Sequence, residues 1–362
     1  MRSGAQEVVV QAGIIEGFFG EPWTWAARAD AAEFLGARGG AFYLYAPKAD
    51  RRLRKEWAQP HDRGDAKSLR DLGATCRRHG VRFGVGLTPY GLHERWGPEG
   101  RAELSARLES LKRLRLDWIA ILFDDMPGNF PNLARTQAEI VQHAADAGVA
   151  DSIAMCPTYY TDQDVLDRLF GPRPKDYLRD LGRALDEQVE ICWTGPKVLS
   201  VEYTASHLRR VTGELGREPF IWDNYPVNDG PRMSKFIHLR APNRPASLRR
   251  LVSGLAINPM NQSALSKIPL DAALRSFTGA AALGDLDAET DAAIDRVVPA
   301  DLAVLLKRDW RSFQHEGLDP YSRAEKAELL GEYAAIDHPA AAEVGRWLRG
   351  EYVVSADILT DV

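Results

Sequence analysis

Ile119-Ala120-Ile121-Leu122-Phe123-Asp124-Asp125 sets five apolar residues in a row against two adjacent carboxylates. A run of this kind, without alternation, reads as a strand buried on both faces. Met126-Pro127-Gly128 follows, and proline and glycine stop the strand and turn the chain. Carboxylates at the end of a buried strand are costly unless something there uses them.

The same pattern recurs on either side. An apolar run ends in a polar or Gly/Pro motif, and an amphipathic segment follows. The runs cover residues 8–15, 41–46, 81–87, 118–123, 152–156, 189–193, 219–222 and 251–257, mostly about 30 to 40 residues apart. Between them Leu69, Leu72 and Cys76 share a helical face that starts at Asp65, an N-cap residue type, and stops at Gly80. Leu104, Leu108 and Leu111 repeat at helical spacing, as do Leu208, Val211 and Leu215 ahead of Gly216. Eight strand–helix units over roughly 250 residues match a (β/α)8 TIM barrel. The rival is a doubly wound open sheet, which usually carries a Gly-rich phosphate loop after its first strand. Here the first run leads into Glu16-Gly17-Phe18-Phe19-Gly20-Glu21-Pro22-Trp23, whose glycines lack that spacing and whose aromatics would block a pyrophosphate. The barrel is the better reading.

Past about residue 262 the strand signals vanish, and residues 263–281, 287–314, 322–335 and 338–352 read as helical. Gly317-Leu318-Asp319-Pro320 marks a break. The expected organisation is a catalytic barrel over 8–262 and a small C-terminal helical domain over 263–362. The chain has 362 residues, 45% hydrophobic and 27% charged, with a net charge of −5. These values suit a globular enzyme and supply no basic field for nucleic acid. No apolar run reaches membrane-spanning length, and the apolar N-terminal run passes directly into the first motif, so it reads as a strand and not a signal peptide. Cys76, Cys156 and Cys192 are too far apart for a CxxC pair or a disulfide framework. A reducing, cytoplasmic location is the expectation.

Chemistry in such a barrel gathers at the C-terminal strand ends. Those ends read Tyr45-Ala46-Pro47-Lys48, Thr88-Pro89-Tyr90, Asp124-Asp125, Cys156-Pro157-Thr158-Tyr159-Tyr160, Trp193-Thr194-Gly195-Pro196, Trp222-Asp223-Asn224-Tyr225-Pro226-Val227-Asn228-Asp229 and Asn258-Pro259-Met260-Asn261. Aromatics mixed with amides and acids suit a carbohydrate, with rings against the apolar face of a sugar and polar groups on its hydroxyls. No phosphate-binding set stands out, and the histidines show no metal-ligand spacing. No metal or cofactor is expected.

Conventional glycosidases place two carboxylates across the scissile bond. Neighbouring residues of a strand point to opposite faces, so consecutive aspartates suit that plan poorly. They suit a substrate-assisted reaction, in which an acetamido oxygen attacks its own anomeric carbon. One carboxylate then holds the acetamido N–H, and the other serves as general acid and base.

Gly13-Ile14-Ile15-Glu16-Gly17-Phe18-Phe19-Gly20-Glu21-Pro22-Trp23, Tyr45-Ala46-Pro47-Lys48, Phe123-Asp124-Asp125, Cys156-Pro157-Thr158, Trp193-Thr194-Gly195-Pro196 and the stretch from Trp222 to Asp229 together resemble glycoside hydrolase family eighty-four. That family comprises the protein O-GlcNAcases and related bacterial β-N-acetylglucosaminidases, once also labelled hyaluronidases. The resemblance implies that Asp124 holds the acetamido nitrogen, that Asp125 is the general acid/base, and that Tyr160 steadies the acetamido oxygen. It implies hydroxyl binding by the Gly17 carbonyl and Lys48, and by Asp229 with Asn224 and Asn258. Trp222 would wall the N-acetyl methyl pocket, with Thr194 and Val198 at its edge. The implied activity is retaining exo-β-N-acetylglucosaminidase through an oxazoline intermediate, acting on an N-acetylglucosamine-bearing glycoside or glycoprotein. The C-terminal helices are a candidate homodimer face.

Two positions depart from the family pattern: Phe19 replaces a frequent tyrosine, and Tyr159 stands where many members have an acid. Taken singly, several of these residues have plainer readings. Lys48 would be a solvated lysine, Trp193 and Trp222 core, Asn258 a helix cap. His79, His93 and His143 read as ordinary helix or loop residues, and Cys156 and Cys192 as buried and inert. Two other functions remain open at this level: a glycosidase narrowed to one small-molecule or cell-wall amino-sugar glycoside, and a non-catalytic sugar-binding protein.

Overall fold

The computed structural model describes residues 10–282 and 284–354. In it eight parallel strands close into a barrel in chain order. They are β1 (Gln11–Glu16), β2 (Phe42–Tyr45), β3 (Arg82–Leu87), β4 (Trp118–Leu122), β5 (Ser152–Cys156), β6 (Glu190–Trp193), β7 (Phe220–Asp223) and β8 (Gly254–Ile257). Pairing of β1 with β8, from Gln11 opposite Gly254 to Ile14 opposite Ile257, seals the ring. The architecture is the TIM barrel read from the sequence. Val8 and Val9 of the first predicted run lie outside the described residues.

The barrel helices are α1 (Trp25–Ala37), α2 (Arg63–Arg78), α3 (Pro98–Lys112), α4 (Leu133–Asp146), α5 (Val165–Phe170), α6 (Tyr177–Ala184), α7 (Ala205–Leu215) and α8 (Ser263–Thr278). The faces expected from spacing are the buried ones: Leu69, Leu72 and Cys76 on α2, Leu104, Leu108 and Leu111 on α3, and Leu208, Val211 and Leu215 on α7. Two local expectations are corrected. Asp62, not Asp65, caps α2, accepting the N–H of Asp65 at 2.8 Å; Asp65 sits in the first turn, where its charge favours the helix dipole. The units are also less regular than eight strand–helix repeats. The β5–β6 connection holds both α5 and α6, whereas β7 and β8 are joined through two short 3-10 turns, Met233–Lys235 and Ala246–Arg250. Pro226, Pro231, Pro242 and Pro245 fall in that connection, and proline interrupts a helix by removing an N–H and clashing with the preceding turn.

Beyond α8 come α9 (Leu286–Val297), α10 (Ala300–His315), α11 (Arg323–Ala334) and α12 (Pro339–Leu348). The expected single segment 287–314 is two helices, because Pro299 ends one and caps the next. The core is correspondingly double. Leu270, Ala273, Leu274 and Phe277 of α8 pack into the barrel cluster, while Ala264, Leu265, Ile268 and Ala272 of the same helix join a second cluster built on Trp310, Phe313, Tyr333 and Trp347. Glu343 of α12 fastens the junction. Its carboxylate accepts the hydroxyl of Ser263 and the N–H groups of Ala264 and Leu265 at 2.9–3.0 Å, filling the open donors of the first turn of α8. Among the described residues no helix is long and apolar enough to cross a membrane.

Candidate active site

The two aspartates leave β4 through an unusual backbone step. The Phe123 N–H still pairs with the Cys156 carbonyl at 2.8 Å, and its carbonyl accepts the Thr158 hydroxyl at 3.0 Å. Asp125 then takes a left-handed conformation with φ 60. Aspartate tolerates that region better than most residues, yet it remains sparsely populated and clusters at functional sites. This turn reconciles adjacency with convergence, since both carboxylates line one cavity of about 270 Å³ at the C-terminal mouth of the barrel. That volume falls near the lower bound of ligand pockets, roughly 300 Å³, and suits a single sugar ring.

Ten of the eleven residues given a site role in the sequence line that cavity: Gly17, Lys48, Asp124, Asp125, Tyr160, Thr194, Val198, Trp222, Asn224 and Asp229. Lys48 follows β2, where its N–H reaches the Phe18 carbonyl at 3.3 Å. Its ammonium hydrogen-bonds Asp124 Oδ2 and stands 3.6 Å from Asp125 Oδ2. It also lies 5.7 Å from the ring centres of both Phe19 and Trp222, so aromatic faces shield the cation that holds the acid pair. Asp124 is buried, and its second oxygen, Oδ1, has no partner. A buried acceptor without a donor is destabilising by itself and is free to take one further N–H or O–H. Tyr160 points its hydroxyl at Asp125 Oδ1, at 3.4 Å. Burial and the neighbouring aspartates push the Tyr160 phenol well above its usual range, so it remains a proton-bearing donor.

The far wall comes from β7 and β1. Trp222 donates its indole N–H to Asn224 Oδ1 at 3.0 Å, and Asn224 donates to the Val198 carbonyl at 3.1 Å. The Trp222 ring lies so close to Gly17 that a Cβ there would sit 2.5 Å from it, so glycine is the residue that admits the ring. Asp229 accepts the Phe19 N–H at 2.8 Å. Burial pushes its carboxyl up to about 6, against the lowering effect of that N–H and of Lys48.

Asn258 is the eleventh, and it is not among those lining the cavity. It stands behind the wall, accepting the Gly17 N–H at 3.1 Å and donating to Asn224 at 3.0 Å. It ties β8 to β1 and β7. Trp193 is core and donates to His207 at 3.0 Å. Tyr159 is also core, bonded to the Gly171 carbonyl at 2.6 Å. Asp223, inside the Trp222–Asp229 motif, serves the scaffold through a buried ion pair with Arg244. Cys156 is buried as expected but lines the cavity, and burial holds its thiol well above the usual range. Leu199, Val227 and Met233 also line it; they lie on long connections whose apolar residues carry no periodic signal. Arg54, within Arg51-Arg52-Leu53-Arg54-Lys55, carries no signal that sets it apart in the sequence, yet it is buried beside Asp125. Among the described residues no cluster of three or more His, Cys, Asp or Glu side chains is arranged to hold a metal ion.

Comparison with known proteins bears on what this geometry serves. The family described as beta-N-acetylglucosaminidase matches residues 12–307. The mouse and rat proteins named Protein O-GlcNAcase are each 29% identical over 235 residues, which is 62% of this chain. The chain spans about a quarter of the length of these curated relatives, 25% in each case. A solved structure of a mutant Thermobaculum terrenum O-GlcNAc hydrolase superposes with a TM-score of 0.75 at 28% identity, covering 94% of this chain and 75% of that one.

Proposed function

The chain belongs to the beta-N-acetylglucosaminidase family, glycoside hydrolase family eighty-four, and from that premise we propose that it removes terminal β-linked N-acetylglucosamine with retention, through an oxazoline intermediate. The observation that carries the proposal is the acid pair itself. Two consecutive aspartates face one sugar-sized cavity, and the buried member is clamped by Lys48 while keeping a bare oxygen.

Each step uses a group in place. The bare Oδ1 of Asp124 accepts the acetamido N–H, which turns the acetamido oxygen toward C1 and raises its nucleophilicity. That oxygen forms a bond to C1 as the glycosidic bond breaks, and Asp125 gives its proton to the departing oxygen. Asp125 then takes a proton from the water that attacks C1, the ring reopens, and the sugar leaves with its configuration kept. The Tyr160 hydroxyl steadies the acetamido oxygen, Trp222 walls the methyl group, and Lys48, Asp229 and Asn224 serve the ring hydroxyls. The natural substrate class is an N-acetylglucosamine-bearing glycoside or glycoprotein.

The test is hydrolysis of para-nitrophenyl β-N-acetylglucosaminide beside the plain glucoside, with Asp124→Asn as control and a thiazoline mimic of the intermediate as inhibitor. Turnover of the acetamido sugar alone, lost in the variant and blocked by the mimic, supports the proposal. Equal turnover of the glucoside would exclude acetamido participation. Binding of the free sugar without turnover would point to the lectin-like alternative.

A further inference from the structure

Arg54 follows a 3-10 turn over Arg51–Leu53, in the connection that also carries Lys48. The residue is 3% exposed, and none of its three guanidinium nitrogens has a hydrogen-bond partner. A buried cation with every donor bare is costly to keep. The guanidinium faces two components of the site. Its carbon is 5.6 Å from the centre of the Phe19 ring, and Nη1 is 3.9 Å from Asp125 Oδ2. Lys48, the nearer cation at 3.6 Å from the same oxygen, is already hydrogen-bonded to Asp124, whereas Arg54 has no hydrogen-bond partner. The remaining groups about Asp125 are the Tyr160 hydroxyl and the carboxylates of Asp124 and Asp229, both of which add negative charge.

We propose that Arg54 is the positioning residue for Asp125, a donor set in place before the reaction that receives the carboxylate as it forms. The inference rests on Asp125 being the acid/base. While Asp125 keeps its proton it needs no cation, and the 3.9 Å gap leaves it free to face the leaving oxygen. Once the proton has gone to that oxygen and the C1–O bond has broken, Asp125 is an anion. A movement of about 1 Å then brings it to the roughly 2.9 Å of a charge-assisted hydrogen bond. When water attacks C1 and returns a proton to Asp125, the carboxyl loses its charge and Arg54 its hold. Donors fixed beforehand require no reorganisation as the charge appears, which is why such groups lower barriers. The Phe19 ring covers the guanidinium and keeps the exchange between these two side chains.

Arg54→Met, Arg54→Gln and Arg54→Lys are to be compared on aryl β-N-acetylglucosaminides graded from poor to activated leaving groups, with Asp125→Asn alongside. The Met and Gln variants are expected to lose roughly tenfold to hundredfold in kcat/KM on the poorest leaving group, and less than about threefold on the most activated. Arg54→Lys is expected to recover most of that loss. The Gln variant keeps a polar head of similar reach, so the result does not depend on the Met variant folding. A purely structural role would lower all substrates alike, and that result overturns the inference. A leaving-group trend in Asp125→Asn but in neither neutral Arg54 variant overturns the role of Arg54 alone. Absence of the trend in Asp125→Asn removes the acid/base reading, and the inference with it.

Discussion

At the N-terminal end of the barrel Phe42, Trp118 and Phe220 meet ring to ring, with centres 5.0–5.8 Å apart. Each opens its strand, and β2, β4 and β7 are not neighbours, so the contacts cross the barrel interior as an aromatic plug. At the C-terminal end the same strands lead to Lys48, Asp124–Asp125 and Asp229, with Asp124 Oδ1 and the Arg54 donors left bare. One end is stabilised by packing that is complete in the folded chain. The other holds charges whose hydrogen bonding is incomplete in the folded chain. Strength and chemistry are thereby assigned to opposite ends, and the assignment is testable because each end should answer to a different measurement.

The largest effect expected is at the mouth. Asp125→Asn should lower kcat/KM on a poor leaving group by about 10²- to 10⁴-fold, with the melting temperature almost unchanged, because its carboxylate is partly open to solvent and not part of the packing. A drop in melting temperature matching the loss of activity would blur the two ends into one. The mirror experiment is Phe220→Ala, which should cost about 3–5 kcal/mol of stability. Activity per folded molecule should stay near the parent value, since the ring lies a full strand away from the acids. Chemical denaturation followed by active-site titration separates the two quantities.

Gly17→Ala probes the boundary between the ends. The added methyl meets the Trp222 ring at 2.5 Å, and that ring is held by Asn224 and lies beside Lys48. Overpacking of this kind costs about 1–3 kcal/mol. It should appear mainly as a KM raised by roughly tenfold, because the displaced ring is a wall of the cavity. An unchanged KM would mean that Trp222 is not a binding surface.

How much of this was readable in the chain follows the same division. The plug and the strands around it announce themselves as apolar runs at a regular interval, because burial on both faces leaves no other composition. The acid pair is visible too, since adjacent aspartates after such a run are costly to bury unless something there uses them. What brings both into one cavity is the left-handed turn at Asp125, and aspartate carries no marker of its own φ. Arg54 was hidden for a similar reason: among Arg51, Arg52 and Lys55 it looks like its neighbours, and only the fold turns it inward. Asn258 and Asn224 are both amides at strand ends, so sequence cannot tell which faces the cavity and which holds the wall behind it. Pro299, read as lying within one helical stretch, divides two because a short connection there lets α10 turn back onto the second core.

The pH dependence is the most diagnostic effect, because stability and binding should move in opposite directions. The Asp229 carboxyl is pushed up to about 6 by burial, against about 3.9 in an unfolded chain. Between those values the folded state binds more protons than the unfolded one, so the contribution of Asp229 to stability is greatest below about pH 4 and falls as pH rises through 6. A sugar hydroxyl, however, is better accepted by the carboxylate. As pH falls from 7 to 5 the ionised fraction shrinks by roughly tenfold, and KM should rise by about that factor. Asp229→Asn should flatten both trends while raising KM at pH 7. The check is KM and melting temperature from pH 5 to 8 in parent and variant. A melting temperature that falls as pH rises while affinity (1/KM) improves, in the parent alone, would mark a carboxylate kept buried for the ligand at the expense of the fold, whereas stability and affinity changing together would make Asp229 one more member of the scaffold.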